Sequence, residues 1–115
     1  MAATHLNDNT FRQLLAGEKP VLVEFWAPWC GHCVNLEAAF DEIADEYADR
    51  LAIGKINIDE QPALAEQYFI EFVPTLVLFS EGDLIDFVIS PASRDAIADF
   101  IENTLQRKST LVCSI

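Results

Sequence analysis

The chain has 115 residues, 51% hydrophobic and 23% charged, with four glycines and five prolines. That is one domain's worth of packable globular chain, too short for two cores and unlike a disordered or collagen-like one. Seven Lys and Arg against nineteen Asp and Glu give a net charge of −12, which repels phosphate backbones and anionic lipid heads and makes nucleic acid and membrane surfaces poor partners.

Asn7 to Ala16 reads as a first helix with Phe11, Leu14 and Leu15 on one face. Val21 to Trp26 is an apolar run broken by one acid, Glu24, as in a central strand covered on both faces. Leu36, Phe40, Ile43, Ala44 and Tyr47 recur at helical spacing, with Asp41, Glu42, Asp45, Glu46 and Asp49 opposite them. Leu51 to Ile58 is a further strand and Pro62 to Tyr68 a short helix opened by proline. Thr75 to Phe79 and Leu84 to Ile89 are strands whose four-residue connection forces them antiparallel. Ser93 caps a last helix with Ile97, Phe100, Ile101 and Leu105 buried. With a short strand before the first helix, the order is β-α-β-α-β-α-β-β-α. The expectation is an α/β fold, a mixed sheet with helices on both faces. The domain spans residues 1–107. Residues 108–115 lose the pattern and read as a tail, and Cys113 there as a spectator thiol, the alternative being a regulatory or intermolecular disulfide.

The first twenty residues lack a basic start followed by an apolar run, and no apolar stretch approaches the roughly 20 residues of a membrane span. Three cysteines are too few for a disulfide framework. A soluble, cytoplasmic, monomeric protein is expected.

The chemistry concentrates in Trp26-Ala27-Pro28-Trp29-Cys30-Gly31-His32-Cys33, where a strand ends and a helix begins. Cysteines at i and i+3 on a first helical turn can close a small disulfide ring. Unpaired N–H groups and the helix dipole stabilise a thiolate at Cys30 by up to about 2 kcal/mol, roughly 1.5 pKa units. A protonated His32 adds to that. Stabilising the thiolate favours the dithiol and makes the pair more oxidising. Cys33, one turn in, is the resolving thiol. A zinc site competes poorly with this reading, because only His32, His5 and Cys113 remain as ligands. A merely structural bridge closing so short a loop adds little stability.

Glu24 costs several kcal/mol if it is buried, ionised and unpaired. It lies either at an edge with its carboxylate in water, or buried beneath Cys33 with a raised pKa, able to exchange the resolving thiol's proton. Lys55, inside another apolar strand, is its natural partner. Pro74, ahead of Thr75-Leu76-Val77-Leu78-Phe79, reads by itself as a routine strand-start proline.

Residues 4–106 resemble the thioredoxin family, through Val21 to Cys33, Asp41 to Tyr47, Lys55-Ile56-Asn57-Ile58-Asp59 and Val73-Pro74-Thr75 in that order. The resemblance implies the fold drafted above and a thiol–disulfide oxidoreductase acting on client proteins with disulfides. It implies a cis Pro74 beside the cysteines, with the Val73 backbone offered to substrate, and a docking surface that includes Trp29, Gly31 and His32. It implies no bound cofactor and no metal, with NADPH acting only through a flavoprotein thioredoxin reductase. Gly31-His32, Glu24 and Pro28 resemble protein disulfide isomerase domains, so oxidation or isomerisation is the alternative direction. A thiol-independent binding or chaperone module is the alternative class. The family's basic residue after the second cysteine is Val34 here, its kinking proline is Ala38, and two groove glycines are Phe72 and Ser90. Phe72 either narrows the groove or turns into the core.

Overall fold

The computed structural model describes residues 3–113, with the side chains of residues 3–107. Its elements are β1 (Thr4–His5), α1 (Asp8–Leu15), β2 (Val21–Trp26), α2 (Gly31–Glu46), β3 (Ala52–Asn57), α3 (Pro62–Gln67), β4 (Thr75–Ser80), β5 (Asp83–Ile89) and α4 (Arg94–Cys113). They form one five-stranded sheet in the order β1-β3-β2-β4-β5. β3 runs parallel to β1 and β2, while β4 is antiparallel to β2 and β5. β2 therefore has a neighbour on each side and is buried along nearly its whole length, as its apolar run requires.

Alternation along the strands divides the core. Leu22, Leu76 and Leu78 face α2 and α4, packing with Leu36, Phe40, Ile43, Ile97 and Ile101. Val21, Val23, Phe25, Val77 and Phe79 face the other way, with Phe11 and Leu64. The second layer is aromatic. Phe11, Tyr68 and Phe79 meet edge-on with ring centroids 5.3 to 5.8 Å apart, the arrangement favoured by ring quadrupoles.

The ends of the elements follow local chemistry. Asn7 and Thr10 form a reciprocal capping box at the start of α1. Ser93 Oγ accepts from the Ala96 N–H at 3.1 Å, so Ser93 caps α4 as the sequence indicates. Glu81 and Gly82 turn between β4 and β5 with φ of 54° and 84°. That is the left-handed pair a two-residue hairpin turn uses. α2 is unbroken with Ala38 inside it. The backbone of α4 stays helical to Cys113, past residue 107 where the sequence pattern fades, while the Cys113 side chain lies outside the described residues.

One helix end runs against local preference. Ile70 N–H donates to Ala65 O at 2.9 Å and Phe69 N–H to Glu66 O at 3.1 Å, the paired reverse bonds that close a helix around a left-handed residue. That residue is Phe69, with φ 55°, where glycine is the usual occupant. Its ring is 87% exposed, so no packing offsets the backbone strain. Phe69→Gly is expected to raise folding stability by about 1 kcal/mol, read as an increase in urea midpoint with an unchanged slope.

Candidate active site

The apolar pull of the core carries β2 up to Trp26, and the chain turns through Ala27, Pro28 and Trp29 to Cys30. Cys30 is the N-cap of α2, in extended conformation with φ −89° and ψ 110°. Its Sγ accepts the Cys33 N–H at 3.1 Å. The sulfur thus occupies the place that a capping oxygen takes at other helices, against an otherwise orphaned donor and the positive end of the dipole. Cys30 and Cys33 form a disulfide with a Cα–Cα separation of 5.3 Å, within the usual range.

Cys30 is 8% exposed and Cys33 4%. The entry to the attacking sulfur is therefore narrower than a freely open thiol. In this oxidised state Sγ is tied inward to Cys33, and it lies 3.5 Å from the Val73 carbonyl oxygen. Around the opening, Trp29, Gly31 and Val34 are exposed, and a Cβ built on Gly31 would meet no atom within 4 Å.

The Val73–Pro74 bond is cis, so the routine strand-start reading of Pro74 gives way to the one the resemblance implies. Half-buried Val73 packs against the cysteine pair, and Pro74, which follows it, is buried. Behind them, Ser90 N–H donates to Pro74 O at 2.8 Å with Ser90 at φ 47°, a conformation that explains why glycine suits this position. Phe72 is 59% exposed, which discards its inward alternative.

Glu24 is 1% exposed, so the edge alternative is also discarded. It sits opposite Lys55 in the β2–β3 register, and Lys55 Nζ lies 3.9 Å from Glu24 Oε1. The Lys55 ammonium also lies 4.7 Å from the centre of the Trp26 ring, a cation–π contact. Glu24 Oε2 has no hydrogen-bond partner among the described residues. Burial pushes the Glu24 pKa from 4.5 to about 7, with Lys55 opposing and Asp41 and Glu37 of α2 adding to the rise. Alternation along β2 puts Glu24 on the face of Leu22, which packs with Leu36, Phe40 and Ile43 of α2, the cysteine helix.

A carboxyl titrating at about 7 when folded and 4.5 otherwise binds more protons folded than unfolded between those values. Its contribution to stability is whole below about pH 4.5 and is lost as pH rises through 7, about 3 kcal/mol in all. Urea unfolding of the oxidised protein at stepped pH is expected to show this loss as the difference between wild type and Glu24→Gln. Parallel pH curves would refute it.

Two predicted residues have partners that sequence reasoning missed. Trp29, 67% exposed, donates Nε1–H to the Asp59 carboxylate at 3.1 and 3.3 Å. His32 Nε2 lies 3.0 Å from Pro91 O; since a carbonyl only accepts, the proton sits on Nε2. Asp59 closes the Lys55-Ile56-Asn57-Ile58-Asp59 run, so a signal for it was present. Pro91 had none, because the contact spans 59 residues. His5, weighed above as a metal ligand, packs instead against the Trp26 ring with centroids 5.7 Å apart.

A disulfide opening beside a helix mouth, faced by a backbone carbonyl, is built to trade partners with another disulfide. Fold and site together define a dithiol–disulfide exchange protein. The sequence model of the Thioredoxin family matches residues 2–103, and the chain belongs to that family. It is 40% identical over 104 residues to "Thioredoxin 1" of Synechococcus elongatus, covering 90% of this chain and 97% of that one. It is 43% identical over 105 residues to "Thioredoxin" of Acidithiobacillus ferridurans, again covering 90% and 97%. To "Thioredoxin M-type, chloroplastic" of Spinacia oleracea it is 39% identical over 101 residues, 87% of this chain and 56% of that one. The chain is a thiol–disulfide oxidoreductase, and its clients are proteins with disulfides. Among the described residues, no helix is long and apolar enough to cross a membrane.

Proposed function

We propose that the chain works as a protein-disulfide reductase of the cytoplasm. The Cys30 thiolate attacks one sulfur of a client disulfide. A Cys30–client bond forms, the client S–S bond breaks, and the first client sulfur leaves as thiolate and takes a proton. Cys33 gives its proton to the Glu24 carboxylate and attacks Cys30 Sγ, displacing the second client sulfur. Two electrons have passed to the client, and Cys30–Cys33 is left oxidised. A flavoprotein thioredoxin reductase using NADPH restores the dithiol, so no cofactor resides on this chain, which transports electrons as a monomer. Lys55 sets the readiness of Glu24 as a base, while Trp29, Gly31, His32, Val73 and Pro74 seat the client. The observation that carries this reading is the Cys33 N–H bonded to Cys30 Sγ at 3.1 Å, because that bond strengthens when the sulfur becomes an anion.

His32, two residues after the attacking cysteine, adds to thiolate stability when protonated, so the potential lies less negative than proline at that position would set it. His32→Pro is expected to shift the Cys30–Cys33 potential about 30 mV or more in the negative direction, tenfold in the exchange constant. Titration against a glutathione buffer reads this. The companion assay is NADPH consumption with thioredoxin reductase and insulin. An equal or less negative potential in the variant would overturn this role of His32, and no NADPH consumption by wild type would overturn the reductase assignment.

A further inference from the structure

An apolar groove of about 430 Å³, which the exchange chemistry does not use, reaches Phe72 and Thr75 on either side of the Val73–Pro74 pair. Phe69, Phe72, Leu84, Phe87 and Ile89 line it, and among the described residues Glu71 is its one charged lining residue. Its floor follows from register. Ile89, Phe87 and Leu84 pair with Thr75, Val77 and Phe79, so they continue the α1–α3 layer onto β5. The six-residue α3 leaves β5 uncovered, and Phe87 is 53% exposed.

Folding does not explain these aromatics. Phe69 holds a left-handed backbone with its ring in water, a strain that glycine would remove. Phe72 likewise stands in solvent. Side chains that lower stability and pack against little mark a surface kept for contact.

We propose that the groove seats an extended segment of the client polypeptide, carrying apolar residues flanked by Lys or Arg near the client cysteine. This rests on the oxidoreductase reading and deepens it. Two observations choose the occupant. Phe72, which lines the groove, adjoins Val73, whose carbonyl oxygen is 3.5 Å from Cys30 Sγ; a client bonded to Cys30 and laid along Val73 reaches the groove at Phe72. Charge supplies the second, since the chain carries −12 and Glu71 lies within the groove. A basic segment is attracted there, whereas a second copy is repelled.

The test compares two short peptides, each joined through its cysteine to cysteamine as a mixed disulfide. One places Leu-Phe and lysines beside the cysteine, on either side in separate syntheses; the other has serine and glutamate there. Cystamine is the small disulfide control. In Phe69→Gly/Phe87→Thr, kcat/KM for the apolar basic peptide is expected to fall about tenfold, or about 1.4 kcal/mol, with cystamine turnover unchanged. Fluorescence anisotropy of the same peptide with serine for cysteine reads the groove without any thiol chemistry and is expected to lose binding in parallel. Equal preference for the two peptides in wild type and variant would overturn the proposal. So would a wild-type dimer in sedimentation that the variant abolishes. If wild type reduces neither peptide nor cystamine, the oxidoreductase reading fails, and the anisotropy arm still decides the groove.

Discussion

Cys30→Ser is expected to bring protein-disulfide reduction to background, a loss of about a thousandfold or more, as for other variants that lose their nucleophile. A serine hydroxyl stays protonated at this helix mouth, and the cap that holds the sulfur anion then holds a neutral oxygen. Cys33→Ser is expected to behave differently. The first exchange proceeds, and the complex stops as a mixed disulfide on Cys30, because no second thiol sits one turn away. Mass spectrometry of the stalled adduct after incubation with an oxidised client, and insulin reduction for turnover, read the two effects. Both variants leave the fold in place, since each changes one buried sulfur to oxygen at a helix terminus. A Cys30→Ser protein that reduced insulin at the wild-type rate would remove the mechanism. A double serine variant with full biological activity would favour the thiol-independent binding class instead.

How far the sequence reached depends on whether a feature is local. The fold was legible because period-two and period-3.6 patterns sit side by side without interruption, and α1, β4 and α4 carry their caps or turns in adjacent residues. The cysteine pair at a strand-to-helix junction was legible for the same reason. The Glu24–Lys55 pair was half legible. An acid and a base in apolar strands invite each other, but only the β2–β3 register makes them partners. Residues acting through distant contacts were not legible: Pro91 meets His32 across 59 residues. The narrowness of the Cys30 opening was not legible either, since it comes from the Val73 loop, 43 residues on. Phe69 escaped for a further reason. Its residue type gives no hint that it takes the left-handed place at the end of α3, and its cost shows only in its φ.

Glu24 makes the second large prediction, one of rate. With a pKa of about 7 it divides between acid and base at neutral pH, where a proton acceptor for a thiol is most effective. Resolution of the mixed disulfide should therefore accelerate as pH rises through about 7, as the carboxylate form that accepts the Cys33 proton accumulates. Glu24→Gln keeps the shape and removes the base. It is expected to slow resolution about a hundredfold and to flatten the profile in that range, while attack by Cys30 on the client keeps its rate. Lys55→Met is expected to do something else. Removing the cation that lowers the Glu24 pKa moves the midpoint of the profile upward without abolishing it. Rapid-quench single turnovers across pH, following the stalled Cys30–client species, separate the two steps. A Glu24→Gln profile with the wild-type midpoint and rate would show that water alone takes the Cys33 proton. The buried pair would then be a structural cost with no role in the exchange.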